Sequence, residues 1–321
     1  MTRFLVRRIS LGVLVMWIVT VAVFAMFFVG PGPADVARRL AGRQATPKTI
    51  NLVRKRLGLN DSLVVQYWHF LYKLLHGNLG YSYYHGQSVN TVLKQAFPIT
   101  LSLALGAAVI WLVLGVLSGV LSAVRHGSIW DRMSTAVALF FYSMPVFVLG
   151  LLLLYAFYYQ LTIHGIRIFP GQGYTSLTND PVKWFESLVL PWLTLALISA
   201  ATYLRLTRSS MLEVMGEDYI RTARSKGLME RRVIYRHALR SALTPVVSQF
   251  GIDLGTLLGG AIVTETVFGL PGLGFTAIQS IENQDLPVII GIVIIATAAV
   301  ILANIVVDIF YAVLDPRVRL H

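Results

Sequence analysis

The sequence predicts an all-α polytopic membrane protein, and three observations carry that expectation. Hydrophobic residues make up 56% of the 321-residue chain and charged residues only 13%, against about 25% charged in ordinary soluble domains. Mean hydropathy is +0.68. The apolar residues fall in long runs, about six of which reach or approach the length needed to cross a ~30 Å hydrocarbon core at ~1.5 Å per helical residue. These candidate spans are 9–30, 98–124, 133–161, 187–204, 243–264 and 286–307.

The first span follows a basic start, Arg3, Arg7 and Arg8. Its uncharged run Ile9–Gly30 is longer than the ~7–15-residue core of a secretory signal, so it is expected to stay in place. In the segment before the second span, Thr46-Pro47 reads as a helix start and Gly58 as its stop. The stretch SLVVQYWHFLYKLLHG (62–77) is amphipathic and aromatic, too short and polar to cross a bilayer. It should lie in the outer interface or pack over helix ends. The fourth span is short and contains Pro191, and the fifth contains Asp253. Pro271 and its flanking glycines in GLPGLG (269–274) should turn the chain after the fifth span.

Loop charge sets the expected sidedness. With the N-terminus in the cytoplasm, the inner loops hold Arg125, Arg132, nine basic residues from Arg205 to Arg240, and Arg317 and Arg319. The short outer loops hold only Arg167 and Lys183, as the positive-inside rule requires. Residues 31–97 are basic yet fall outside, which long loops tolerate. Six spans return the C-terminus to the cytoplasm.

The chain carries few signs of chemistry. There is no Cys, which excludes disulfides and thiolate chemistry. No phosphate-binding G-x-x-x-x-G-K-[ST] occurs, and GLPGLG has no βαβ unit around it. His69 and His76 are about 10 Å apart along a helix, too far to share a metal. A carboxylate at the bilayer centre costs about 2.5–3.5 kcal/mol. Asp253 and Glu265 are therefore candidates for the pathway lining or for helix contacts. A protease pair of Asp253 with Asp308 would need one depth, and their positions along the spans disagree. Gly115 with Gly119, and Gly255 with Gly259, permit close helix contact.

The basic inner loop is the most informative stretch. Residues 212–226 suit a helix, with Glu217 and Arg221 four apart. Gly227 can take positive φ and stop it. A second helix follows, striped by Arg232, Arg236 and Arg240, with Val233, Ile234, Ala238, Leu239 and Ala242 between, and Pro245 opening the fifth span. Anchoring to anionic lipid explains the charge. It requires neither the glycine joint nor the apolar residues, so a protein contact stays open beside it.

DYIRTARSKGLMERRVIYRHALRSALTP (218–245) resembles the inner-face loop of binding-protein-dependent ABC transporter permeases, the B-type subunit of dipeptide, oligopeptide and nickel importers. RFLVRRI at the N-terminus, LGLNDSLVVQYWHFLYKLLHGNLGYSY (57–83), TETVFGLPGLG (264–274) and the DPRVR tail (315–319) extend the resemblance over nearly the whole chain. Of the general Glu-Ala-Ala…Gly pattern only Ala223 and Gly227 match, whereas RTARSKG matches the peptide-type version.

The resemblance implies a type I ABC importer permease fold. A first helix and outer segment (1–97) would precede a core permease domain (98–321) with a coupling loop at about 211–242. It implies half of a pathway for di- or oligopeptides in a bacterial or archaeal inner or plasma membrane. The implied partners are a homologous C-type permease, two ATPase subunits, an extracytoplasmic substrate-binding protein or lipoprotein, the peptide and membrane lipid, with no nucleic acid. ATP and Mg would sit in the ATPase subunits, leaving this chain non-enzymatic and without a cofactor. Glu217, Arg221, Thr222, Ala223, Arg224, Lys226, Gly227 and Arg231 would form the ATPase-coupling site. A nickel-chelate permease of the same family, or an ion-driven secondary transporter, are the alternatives.

Overall fold

The computed structural model describes residues 2–29, 37–38, 46–56, 58, 60–82 and 84–314. The tail 315–321, with Arg317 and Arg319, and most of 30–45 lie outside the described residues.

Two long helices, α4 (Val89–Val124) and α7 (Pro181–Met215), approach most closely because α4 has no side chain where they cross. A Cβ added to Gly106 or Gly115 would overlap Trp192 or Tyr203, and one on Gly119 would lie 2.6 Å from Thr207 Cβ. Small residues that let backbones approach are the usual basis of helix association in lipid, where no hydrophobic drive exists between apolar helices. Trp111 and Tyr203 are fully buried at this contact, within a cluster that includes Leu103, Ala107, Leu188 and Ala196. Trp192 donates from Nε1 to the Ser102 carbonyl at 2.9 Å.

Several of the remaining helices pack against this pair, and others attach through them. Helix α1 (Thr2–Phe24) continues as a π turn, Ala25–Val29. Helix α2 (Pro47–Arg56) starts as expected, with Thr46 Oγ1 accepting from Thr49 N at 3.3 Å, and Gly58 takes φ +64° beyond its end. Helix α3 (Leu63–Leu75) turns Tyr67, Phe70 and Leu74 toward Phe24 and Phe28. Its Val64, Trp68, Tyr72 and Leu75 stay exposed while Gln66 is buried, so the outward face is largely apolar, as a helix in the interface requires. A two-residue antiparallel pair, β1 (Tyr81–Ser82) and β2 (Gln87–Ser88), leads into α4.

Helices α5 (Ile129–Tyr142) and α6 (Val146–Ile163, with a π turn at Leu154–Tyr159) follow. After α7 come a short helix α8 (Asp218–Ser225) and a continuous helical stretch α9 (230–258). The chain closes with α10 (Ile262–Val267), α11 (Leu273–Glu282) and α12 (Leu286–Leu314). Helix α12 packs along α9, where a Cβ on Gly251 would lie 2.8 Å from Val307 Cγ1, and it meets α1 through Arg8 Nη1 and Asp308 Oδ2 at 3.1 Å.

Among the described residues five helices are long and apolar enough to cross a membrane: Val6–Val29, Val89–Val124, Val146–Ile163, Pro181–Met215 and Leu286–Ile309. The expected third span, 133–161, is two helices broken at Ser143–Pro145. Proline has no N–H and disfavours helix in the residue before it. The expected fifth span exists as the later part of α9, but Ser248, Gln249, Asp253 and Thr256 keep it outside that set. Glycines 259 and 260 end it before residue 264, Gly260 with φ +117°.

Three other prolines leave the helix unbroken. Pro98, Pro191 and Pro245 all lie inside helices. The second span thus begins at Val89, the fourth reaches 35 residues, and Pro245 does not open the fifth. An interior proline costs ~3 kcal/mol in a soluble helix; in a membrane helix it is tolerated where neighbouring elements re-satisfy the backbone, and Leu188, Leu190 and Trp192 around Pro191 are all buried against such neighbours. Asp180 starts this fourth helix, its Oδ1 accepting from Val182 N and Lys183 N, both at 3.1 Å. Gly255 contacts α12 at Val300, but Gly259 caps its own helix.

Replacing Gly119 by Val is expected to destabilise the protein by ~1–3 kcal/mol through overpacking. A thermal melt in detergent should show a lower midpoint for Gly119→Val than for Leu117→Ala, whose side chain is exposed.

Candidate functional site

The chain leaves α7 at Met215, turns through Gly216 and Glu217, and enters α8. The helix expected over 212–226 is therefore two pieces, its first turn belonging to α7. Glu217 occupies the N-cap position in extended conformation (ψ 148°), with no side-chain cap bond. It lies outside the helix and does not make the expected pairing with Arg221. Arg221 Nη1 instead meets Asp218 Oδ1 at 3.3 Å. Both groups are exposed, where such pairs contribute ~1 kcal/mol at most.

Helix α8 ends where the sequence places its stop. Gly227 takes φ +74°, its N–H reaches the Arg224 carbonyl at 2.9 Å, and Leu228 N–H reaches the Ala223 carbonyl at 3.4 Å. A Cβ on Gly227 would meet nothing within 4 Å, so the requirement is one of backbone conformation and not of space. Arg224 closes the bend, Nη2 lying 2.7 Å from Glu230 Oε1 and Nε 3.2 Å from Oε2. This guanidinium holds the Glu230 carboxyl below its ordinary range.

The two faces of α8 differ sharply. Ile220, with no exposure, and Ala223 at 8% enter a cluster with Val120 and Ala123 of α4, Met211 of α7, and Val233, Ile234, Ala238 and Ala242 of α9. Ala223 thus faces the bundle. Tyr219, Arg221, Thr222, Arg224, Ser225 and Lys226 are exposed, and Met229, Arg231 and Arg232 continue the exposed surface past the bend. Arg221, Thr222, Arg224, Lys226 and Arg231 are thus all exposed along this basic segment, Arg221 and Arg224 paired with the exposed Asp218 and Glu230, while Ala223 anchors the helix and Gly227 makes the bend.

Asp253 and Glu265 are elsewhere and apart. Asp253, partly buried on α9, accepts from Tyr203 Oη and Gln249 Nε2, each at 2.9 Å. Beside it Ser248, Ile252 and Thr256 are exposed at helical spacing. Glu265 is fully buried. Its Oε1 accepts from Thr100 Oγ1 at 2.6 Å and its Oε2 from Phe275 N at 2.8 Å, while Leu273 N donates to Thr100 Oγ1 at 2.8 Å. That geometry ties α10 and the start of α11 to α4, a helix contact. Asp308 bonds Arg8 and not Asp253, so no carboxyl pair of the protease kind forms. No group of three metal-ligating side chains occurs among the described residues.

Sequence reasoning missed two residues. Glu230 pairs six residues back across a bend, outside any helical spacing rule. Asp131 binds Arg208 across 77 residues of chain, a pairing with no local signal beyond Ser128 three residues before it, whose Oγ accepts from Asp131 N at 3.3 Å.

Membrane-crossing helices with a short, cationic helix docked at the end of the longest pair define a polytopic permease subunit. The chain belongs to the family of binding-protein-dependent transport system inner membrane components, whose profile matches residues 112–320; the N-terminal profile of such membrane components matches 1–104. A probable peptide ABC transporter permease of Sinorhizobium fredii is 37% identical, over 98% of this chain and 99% of the relative. A putative peptide transport system permease of Brucella abortus is 39% identical, and the dipeptide transport system permease DppB of Escherichia coli 38%, each over 99% of both chains. Among solved structures, a chain of the inward facing MetNI methionine ABC transporter superposes with a TM-score of 0.55 at 21% identity, covering 70% of this chain and 96% of that one. The fold is that of type I ABC importer permeases.

Truncating Ile220 to Ala should cost ~2–5 kcal/mol at this buried position. Hydrogen exchange is expected to rise across Asp218–Ser225 while the amides of α4 and α7 keep their protection; unchanged exchange in α8 would show that the cluster does not hold it.

Proposed function

We propose that this chain is the B-type permease subunit of an ATP-driven peptide importer, forming half of its membrane pathway. The observation that carries the reading is α8: an apolar face seated on α4, α7 and α9, and a cationic face left exposed. Nearly full-length relatives named as peptide and dipeptide permeases favour peptide over a nickel chelate. The family's description as binding-protein-dependent favours a multi-subunit importer over a self-contained ion-driven carrier.

In this reading α8 is the coupling helix. Arg221, Thr222, Arg224, Lys226 and Arg231 meet one of two ATPase subunits, which hold ATP and Mg. A homologous C-type permease supplies the other half of the pathway, and a substrate-binding protein or lipoprotein delivers peptide from outside. The basic loop then faces the cytoplasm of a bacterial or archaeal cell, as do both termini, in agreement with the positive-inside rule. ATP closes the ATPase dimer and moves the two coupling helices together. Because Ile220 and Ala223 sit in the cluster formed by α4, α7 and α9, movement of α8 is passed to those helices. Hydrolysis resets the assembly. Asp253, with Tyr203 and Gln249 as donors and Ser248 and Thr256 close by, is the pathway candidate on this chain.

Peptide uptake into proteoliposomes holding the full assembly should require ATP and fail with a non-hydrolysable analogue. ATP-independent uptake driven by an ion gradient would overturn the reading. Gly227→Val forces a left-handed β-branched residue, at ~1–2 kcal/mol, and should lower peptide transported per ATP hydrolysed by about tenfold while membrane insertion persists. Full transport by Gly227→Val would remove the coupling assignment. Asp253→Ala, leaving Tyr203 and Gln249 without their acceptor, is expected to slow uptake without changing ATPase recruitment, measured by co-purification.

A further inference from the structure

Helix α5 is thinly attached. Of its 14 residues only Asp131 and Ala138 are buried. Ala138 packs on Ala201 and Leu204 of α7, Arg205 of α7 lies over the Tyr142 ring at 5.8 Å, and Asp131, 4% exposed, makes a buried polar attachment. The Asp131 carboxylate accepts a parallel fork from Arg208 of α7, Nε to Oδ1 at 2.7 Å and Nη2 to Oδ2 at 2.9 Å. Oδ1 also accepts from Ser122 Oγ of α4, and Oδ2 from Gly127 N of the α4–α5 turn at 2.9 Å. One carboxylate therefore joins three helices and a turn. Paired, two-pronged guanidinium bonds fix orientation as well as distance.

The place of this cluster matters as much as its geometry. Val120 and Ala123, which flank Ser122 on α4, and Met211, three residues beyond Arg208 on α7, are residues on which α8 rests. Even a partly buried ion pair, here with Asp131 buried and Arg208 at 27% side-chain exposure, is a poor choice for stability alone, since well-packed apolar groups of similar volume often serve as well. Its distinctive property is that it permits one relative placement of the helices and no graded slippage. Arg208 foremost, then Ser122 and the Gly127 amide, hold the Asp131 carboxyl far below the usual carboxylate range. Its contribution is thus complete above the unfolded carboxylate range and lost only on strong acidification, so the joint does not open at ordinary pH.

We propose that Asp131 and Arg208 are positioning residues of the transport cycle: they lock the ends of α4, α5 and α7 into one rigid body, so that displacement of α8 carries α5, and α6 beyond it, along with the two central helices. The transport part of this inference rests on the importer reading; the rigid body does not.

Spin labels at Leu121→Cys on α4 and Val137→Cys on α5, both exposed positions in a chain without native Cys, report the body directly. With cysteine-free partner subunits, they should give one narrow separation, the same without nucleotide and with a non-hydrolysable ATP analogue. Adding Asp131→Asn should broaden that separation or make it vary with nucleotide. In unlabelled proteoliposomes, Asp131→Asn should lower peptide transported per ATP by about fivefold, within the range that coupling networks carry. Arg208→Lys, which keeps the charge and loses the fork, should move both readouts in the same direction.

A parent separation that changes with nucleotide overturns the proposal, as does an Asp131→Asn protein with the parent's narrow separation and its transport per ATP. If Asp131→Asn does not assemble, Arg208→Lys decides; failure of both to assemble would make the pair a folding requirement only and overturn the positioning role. Absence of ATP-driven uptake by the parent would count against the proposed function, and the spin-label separations would still decide the rigid body.

Discussion

The close crossing of α4 and α7 is the contact on which the rest depends. It exists because Gly106, Gly115 and Gly119 let the α7 side chains Trp192, Tyr203 and Thr207 reach the α4 backbone. Everything attached later uses that pair as its base. Tyr203, placed by Gly115, is the donor to Asp253 of α9. Thr100 on α4 receives Glu265 and the start of α11. At the other end Val120, Ala123 and Met211 form the seat of α8. In an apolar solvent the association of helices rests on such backbone proximity and on a few polar joints, and this chain uses both.

The two functional expectations differ in how local their signals were. Gly227 was readable because a helix end needs a left-handed residue, a one-position requirement that the structure meets at φ +74°. The amphipathic 62–77 stretch was readable because its apolar residues follow helical spacing. Ala223 was assigned to the right helix, yet its facing toward the bundle depends on Val120 and Met211, about a hundred and about ten residues away in sequence, so no local rule gives it. Asp131 was invisible for the same reason: its partner lies 77 residues along the chain.

Proline was the main source of misplaced boundaries, and the cases separate physically. Pro145 and Pro271 each stand where one helix has ended and the next has yet to begin, the first after Ser143-Met144 and the second between the buried residues Leu270 and Gly272. Pro98, Pro191 and Pro245 stay within helices because adjacent helices and buried side chains hold the backbone on both sides. The residue itself carries no information about which outcome applies. The fold class, by contrast, follows from composition and run length, which is why it was legible before any boundary was.

Helix α12 is held at both tips by the opening third of the chain. Near one tip Asp308 meets Arg8, and just before the other Asp285, nearly buried, accepts from Ser82 Oγ with His85 Nδ1 at 3.2 Å. The final helix is therefore a beam pinned by a clasp formed from residues two hundred or more positions earlier. It cannot swing alone: whatever tilts it must drag the clasp, and a chain stripped of that opening third would leave one acid on the helix and one at its threshold without these partners.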